Sequence, residues 1–361
     1  MKTKALFIAA TGQNVGKTTL SLGIFAGLRK RLSRVGFIKP VGQQHVKIND
    51  NLLVDKDVEL IRHHFKLHTD WKSMSPLLLP SGFTREYLDG TINTSDLQHQ
   101  MLQAYEKLAA EHDLVVVEGT GHVGVGSIIN LNNAQVASIL GAEMVIVAPG
   151  GLGSSHDELA LNIELCLKHG VRVKGVILNR VEESKREMIL RYFPKALAHW
   201  GIPLLGALPY STLLGNPTMQ DFEILFETSL LSGQTHSCRH FSSTRLVAGS
   251  LSDYLSEGVD NQLVITPACR DDIIEAMVNS HLKFPNKKGG MILTGSSLPD
   301  PELVKKLTLA DIPALYAPLC SYDAMKSITH YTAKIRKEDG QKIEKAISIA
   351  EEYLNFEQLV G

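Results

Sequence analysis

Short, unbroken apolar runs punctuate the chain at 5–10, 35–38, 114–117, 144–148, 173–178 and 203–208. None alternates apolar with polar residues, so each reads as a strand buried on both faces, as in a parallel sheet. Between them lie stretches with helical spacing at 17–32, 55–64, 95–111, 132–140, 155–169 and 183–192. This alternation predicts an α/β domain over residues 1–212, a doubly wound, mainly parallel sheet with ligands at the carboxyl ends of its strands. The pattern then breaks. Residues 213–243, richer in Ser, Gly and Asn, read as a linker with one short helix. A weaker alternation, with strands at 244–248, 262–265, 290–293 and 314–317, predicts a second, smaller α/β domain over 244–336. Residues 337–361 then form a C-terminal helix.

Composition narrows the class. With 44% hydrophobic and 21% charged residues the chain is that of a globular protein. Its 37 basic and 38 acidic side chains leave a net charge of −1, so no broad basic field exists for nucleic acid or for an anionic membrane. No apolar stretch reaches the roughly 18 residues of a membrane span. The first run, behind two lysines, is too short for a secretion signal and leads into a glycine loop, so it reads as a strand. Four cysteines without CxxC spacing fit a reducing compartment, and a cytoplasmic location is expected.

The chemistry concentrates at four strand ends. After the first run stand Thr11, Gly12, Gln13, Asn14, Val15, Gly16, Lys17, Thr18 and Thr19. Gly16-Lys17-Thr18 completes the last part of GxxxxGK[ST], with Thr11 where the first glycine usually stands. Such a loop turns backbone N–H groups inward on phosphate, with Lys17 bridging the β/γ-phosphates and Thr18 on Mg²⁺. Lys39, before Pro40, ends the second strand and either neutralises a substrate charge or is a surface lysine before a turn. Glu118 ends a strand too apolar to be anything but central, where a carboxylate needs a cation or donors, and Mg²⁺ is the preferred one. Asp57 either ligates the same ion or serves the dipole of a first helical turn. Asn179 and Arg180 close the fifth strand, the asparagine either reading an adenine edge or forming a turn.

In this order the stretches TGQNVGKTT, KPV, DLVVVEGTG and GVILNR resemble the dethiobiotin synthetase family and its relatives, over about residues 3–210. Those relatives are the cobyrinic acid a,c-diamide synthases and the N-terminal region of long phosphotransacetylases. The resemblance implies ATP in the loop, Mg²⁺ on Thr18, Asp57 and Glu118, and Lys17 and Lys39 as phosphate and substrate lysines. It further implies Asn179 as adenine reader and a homodimer. LVITPACRDDIIEAM and GGMILTGSSLPDPELV are similar to a DRTGG domain. By analogy its pocket would involve Thr266, Arg270, Asp271, Thr294 and Gly295, although Asp271 equally suits a helix N-terminus.

Two departures fall on the substrate side. Gly42-Gln43-Gln44 follows KPV where the synthetases have small residues and a serine. Their EGAGG becomes Glu118-Gly119-Thr120-Gly121-His122, so an imidazole stands beside Gly121 where a glycine lets substrate approach. Gln43, Gly121 and His122 are therefore the candidate substrate-side residues. The expected function is a nucleotide-responsive metabolic regulator, binding Mg-ATP, a small carboxylate or amine metabolite and a protein partner. The alternative is an ATP-dependent ligase forming an acyl- or carbamoyl-phosphate. Without an acyltransferase portion in the sequence, phosphotransacetylase activity is not expected.

Overall fold

The computed structural model describes residues 4–361 except 257 and 285. It divides into two compact units, Met1–Ser211 with Ile335–Gly361, and Thr212–Lys334.

In the first unit six strands form one sheet: β1 (Lys4–Ala10), β2 (Val35–Ile38), β3 (Leu114–His122), β4 (Glu143–Pro149), β5 (Val173–Val181) and β6 (Leu204–Pro209). Their order is β6-β5-β4-β1-β3-β2, and every pair is parallel. The apolar runs predicted this, because strands covered by helices on both faces have no polar side to show. β1 lies between β3 and β4, so the chain winds away from it in both directions. The crevice at its carboxyl end is the topological switch point where such sheets bind ligands. Around the sheet lie α1 (Lys17–Arg29), α2 (Lys56–His64), α3 (Thr94–Glu111), α4 (Asn133–Leu140), α5 (Gly153–Lys168) and α6 (Glu183–Leu197).

In the second unit five strands, β7 (Leu230–Ser232), β8 (Ser243–Leu246), β9 (Gln262–Pro267), β10 (Gly289–Thr294) and β11 (Ala314–Ala317), run in the order β7-β11-β10-β9-β8. β7 is antiparallel to β11 and the rest are parallel, so the sheet is mixed. One face carries a core with Ile273, Met277, Leu303 and Leu307. The other buries Met219, Phe222, Phe226 and Ile328.

Two expectations need correction. Residues 213–243 do not act as a linker; they supply α7 (Met219–Phe226) and the edge strand β7. Thr218 caps α7 through a reciprocal capping box with Asp221, and Met219, Phe222 and Phe226 fall on its buried side. A short helix is expected in this segment, and the polar composition around it hid only its packing into the second unit. Residues 337–361 are more than a terminal helix, since they belong to the first unit. There α8 (Gly340–Tyr353) buries Ile343, Ala346, Ile349 and Ala350, and α1 is buried continuously from Leu20 to Leu28. A Cβ on Gly23 would overlap the Ala350 methyl, and one on Gly27 would overlap the Phe356 ring. Gly23 and Gly27 therefore let the C-terminal segment approach the backbone of α1. Beyond α8 the Asn355 amide donates to the Leu205 carbonyl at 2.8 Å and Leu354 bridges Gly206, so the tail pairs with the edge of the first sheet.

Among the described residues, no helix is long and apolar enough to cross a membrane.

Candidate functional site

β1 delivers the chain to the switch point fully buried, and residues 11–16 turn there into α1. Asn14 (φ 57°) and Gly16 (φ 100°) both adopt left-handed backbone, which bends a short loop so that successive N–H groups face one centre. α1 begins at Lys17 with no side-chain cap and no acidic residue in its first turn. Its N-terminal dipole and its orphan N–H groups are thus left for an anion.

The loop is braced from two sides. The Asn179 amide, at the end of β5, donates to the Val15 carbonyl at 2.7 Å. The Thr11 hydroxyl donates to Glu158 Oε2 on α5 at 2.7 Å, and the Thr11 amide to the Val147 carbonyl at 2.9 Å. Asn179, expected as an adenine reader, uses one of its two amide hydrogens beneath the loop. Gln13 and Asn14 are exposed, and Gly12, Lys17, Thr18 and Thr19 are half-buried at its mouth. Arg180 is exposed with left-handed backbone at φ 57°.

Beside the loop lies a cluster of charge out of solvent. Lys39 directly follows β2, its amide held by the Met74 carbonyl at 2.9 Å and its side chain only 8% exposed. Its ammonium is paired with Asp57 and stands 3.4 Å from both Asp55 Oδ1 and Glu118 Oε1. Asp55 caps α2 by accepting from the Asp57 amide at 2.9 Å, which places two carboxylates at one helix start. Glu118 enters from β3, in register with Ile8 of β1. The Thr18 hydroxyl donates to Glu118 Oε1 at 3.2 Å. Lys39 is therefore no surface lysine, because three acids from two elements enclose it.

The protonation of this group follows from burial against pairing. Burial pushes the Glu118 carboxyl up to about 7; Lys39 opposes that rise and Asp57 adds to it. Burial disfavours the Lys39 charge as well, but Asp57, Glu118 and Asp55 together hold its ammonium well above the ordinary lysine range. Asp55 is raised by burial, against the pull of Lys39. Glu118 Oε2 is buried without a hydrogen-bond partner among the described residues. A divalent cation fits that oxygen chemistry, since an orphaned buried carboxylate oxygen beside a hydroxyl is a hard-ligand pair. Among the described residues, no group of three or more His, Cys, Asp or Glu is arranged to hold a metal alone. The Thr18 hydroxyl, with phosphate oxygens or water, would complete any such sphere.

The substrate-side residues sit on a stapled loop. Asn133 donates to the carbonyls of Thr120 and His122 at 2.9 and 2.7 Å, and Asn162 accepts from the Val123 amide at 3.0 Å. Gly121 (φ 65°) needs its missing side chain at that turn, and His122 is exposed with Nδ1 accepting from the Gly124 amide at 3.1 Å. Gln43 is exposed just past the Val41–Gly42 strand.

In the second unit Thr266 and Thr294 are buried at the ends of β9 and β10. Thr294 donates to the Thr266 carbonyl at 3.3 Å and shares a 2.6 Å hydrogen bond with Ser321. Gly295 follows at φ 126°. Arg270 does not join them; its guanidinium binds Asp272 and the Gly249 carbonyl. Asp271 is exposed in the first turn of the 271–283 helix.

Sequence reasoning missed Asp55, Glu158, Asn133, Asn162 and Ser321. Asp55 alone carried a local signal, an Asp at the N-cap place before a helical pattern. The others act across the tertiary structure and had none.

A family model described as "AAA domain" matches residues 4–218, and one described as "DRTGG domain" matches 225–331. The phosphate acetyltransferase of Nitratidesulfovibrio vulgaris is 28% identical over 370 residues, covering 98% of this chain and 51% of that protein. Other phosphate acetyltransferases match over nearly the whole chain at 22–28% identity. The chain spans about half the length of these relatives. The ATP-dependent dethiobiotin synthetase of Methanocaldococcus jannaschii is 27% identical over 231 residues, covering 62% of this chain and 99% of that one. Among solved structures the MinD cell division protein of Aquifex aeolicus covers 58% of the chain and 84% of its own, at 20% identity and a TM-score of 0.36. The phosphate acetyltransferase matches overturn three expectations. Relatives along nearly the full chain are phosphate acetyltransferases, which supports neither a regulator nor a ligase and contradicts the exclusion of phosphotransacetylase activity.

Proposed function

The chain belongs to the AAA-domain family over residues 4–218, and we propose that it works in phosphate acetyltransferase chemistry as the nucleotide-binding portion of such a protein. The observation that carries this reading is the match to phosphate acetyltransferases along 98% of the chain, phosphate loop and DRTGG domain included. The reaction is transfer of an acetyl group between a thioester carrier and inorganic phosphate.

Within that protein the first unit binds Mg-ATP. The backbone from Gly12 to Gly16 and the start of α1 hold the phosphate chain, with Lys17 on its outer oxygens. Thr18 and Glu118 hold the divalent cation, with Asp57 behind Lys39, and the cation when bound supplies positive charge against the phosphate oxygens. Glu158 and Asn179 hold the loop in shape, and Gln43, Gly121 and His122 form the rim beyond the terminal phosphate. Thr266, Thr294 and Gly295 mark the ligand-side edge of the DRTGG domain. A cytoplasmic homodimer is the working form we expect, in keeping with four free thiols.

The test is acetyl transfer between acetyl phosphate and coenzyme A, followed by thioester absorbance. Turnover by the purified chain supports the reading. So does restored turnover when the chain is added to a phosphate acetyltransferase cut down to the half it does not match. No effect in either assay overturns it. Mg-ATP titration of the wild type and of Lys17→Ala tests the nucleotide site by itself.

A further inference from the structure

Glu118 Oε1 receives two donors of different origin, the Thr18 hydroxyl at 3.2 Å and the Lys39 ammonium at 3.4 Å. The first belongs to the phosphate loop and the second to the residue after β2. The other oxygen of the same carboxylate is buried with no hydrogen-bond partner among the described residues. Around the ammonium stand Asp55, Asp57 and Glu118, with side chains 1%, 12% and 1% exposed. Among the described residues three acids thus gather around this one ammonium. Taking such a base away exposes carboxylates that solvent cannot reach, among the most destabilising changes a protein core undergoes.

Once these carboxylates are ionised they need a cation, and among the described residues Lys39 supplies one. A divalent cation drawn to the open Oε2 would need the same carboxylate. The Thr18 hydroxyl can donate to Glu118 and still offer a lone pair to a cation. A divalent cation on that carboxylate would, however, stand close to the Lys39 ammonium, 3.4 Å from Oε1, and repel it.

We propose that Lys39 is a built-in stand-in for the divalent cation. It fills the carboxylate cage while the phosphate loop is without nucleotide, and it yields Glu118 when the cation enters with the phosphates. Lys39 is in this respect a positioning residue: it keeps Asp57 and Glu118 gathered, and it makes the site take the cation together with nucleotide rather than alone. The exchange balances in charge. The cation brings two positive charges to Glu118 and Thr18, and the freed ammonium stays with Asp55 and Asp57 or turns to a phosphate oxygen. The proposal rests on the Mg-nucleotide reading of the loop.

The experiment is Mn²⁺ and Mg²⁺ binding to the full chain without nucleotide, in wild type, Lys39→Met and Lys39→Gln, with thermal melts in parallel at constant ionic strength. Wild type is expected to bind Mn²⁺ weakly and to melt at nearly the same temperature with or without Mg²⁺. Both variants are expected to melt lower in chelator, to recover with millimolar Mg²⁺, and to bind Mn²⁺ at least about tenfold more tightly than wild type. Adding Glu118→Gln should abolish that gain. Glutamine retains donors for the cage, so Lys39→Gln serves if the methionine variant does not fold. Variants that bind Mn²⁺ no better than wild type would overturn the proposal. Failure of wild type to bind Mg-ATP sinks the nucleotide reading instead, and the Mn²⁺ comparison remains readable beside it.

Discussion

Asn179 donates its side-chain amide to the Val15 carbonyl at 2.7 Å, tying the end of β5 to the last turn of the phosphate loop. A Cβ on Gly16 would overlap that amide, so one asparagine fixes both the carbonyl before Gly16 and the room Gly16 has. Asn179→Ala should loosen the loop without touching any base. We expect affinity for ATP and GTP to fall together, by about fivefold for one lost hydrogen bond near 1 kcal/mol. Parallel titrations check this. A loss confined to ATP would instead support Asn179 as an adenine reader.

Gly16→Ala strikes the same contact from the other side. The residue needs φ 100° and has the Asn179 amide where a methyl would go. Nucleotide binding should be lost below detection, and stability should fall by about 1–3 kcal/mol as the loop shifts. Adding Asn179→Ala should recover part of the stability while leaving the backbone strain. Denaturant melts of the two singles and the double give the coupling.

The seam between α1 and α8 predicts a second double-mutant effect. Gly23→Ala places a methyl against Ala350, at a helix contact with no slack, and should destabilise the first unit by about 1–3 kcal/mol. Pairing it with Ala350→Gly removes the overlap and should return much of that loss. α1 carries Lys17 and Thr18 at its start, so Gly23→Ala should weaken Mg-ATP binding as well, and the paired variant should recover it. Unchanged affinity in the single variant would mean that α1 absorbs the methyl without moving its N-terminus.

The buried Glu118 carboxyl, pushed up to about 7, gives the protein a pH signature. Its folded value lies above the ordinary one of 4.5, so folding favours the neutral acid. The contribution is fully present below about pH 4.5 and is lost as pH rises through about 7. Nucleotide-free protein should therefore melt progressively lower between pH 5 and pH 8, and Glu118→Gln should flatten that slope. Cation binding runs the other way, because only the ionised carboxylate is a ligand, so Mg²⁺ affinity should climb over the same interval. A melt series in 0.5-unit steps, with and without Mg-ATP, reads both trends.

Much of the first unit is legible in the amino-acid order because its strands are buried on both faces. A continuous apolar run such as 114–117 declares itself without reference to anything distant. Gly16-Lys17-Thr18 after such a run likewise fixes a loop and a helix start, because left-handed glycine and an uncapped N-terminus are local properties. Residues 219–226 were harder, since the apolar side of α7 is short and lies among polar neighbours.

Folding alone decided what the loop is surrounded by. Lys39, Asp55, Asp57 and Glu118 come from places as much as 79 residues apart, and no local pattern says that one ammonium will sit among three acids. The same holds for Asn179 under Val15 and for Ala350 against Gly23, contacts that span 164 residues in one case and the whole second unit in the other. Local sequence sets which backbone shapes and which buried faces are available. Charge pairing in a dry site and contact between small residues depend on distances between distant elements, and only the packed sheet sets those.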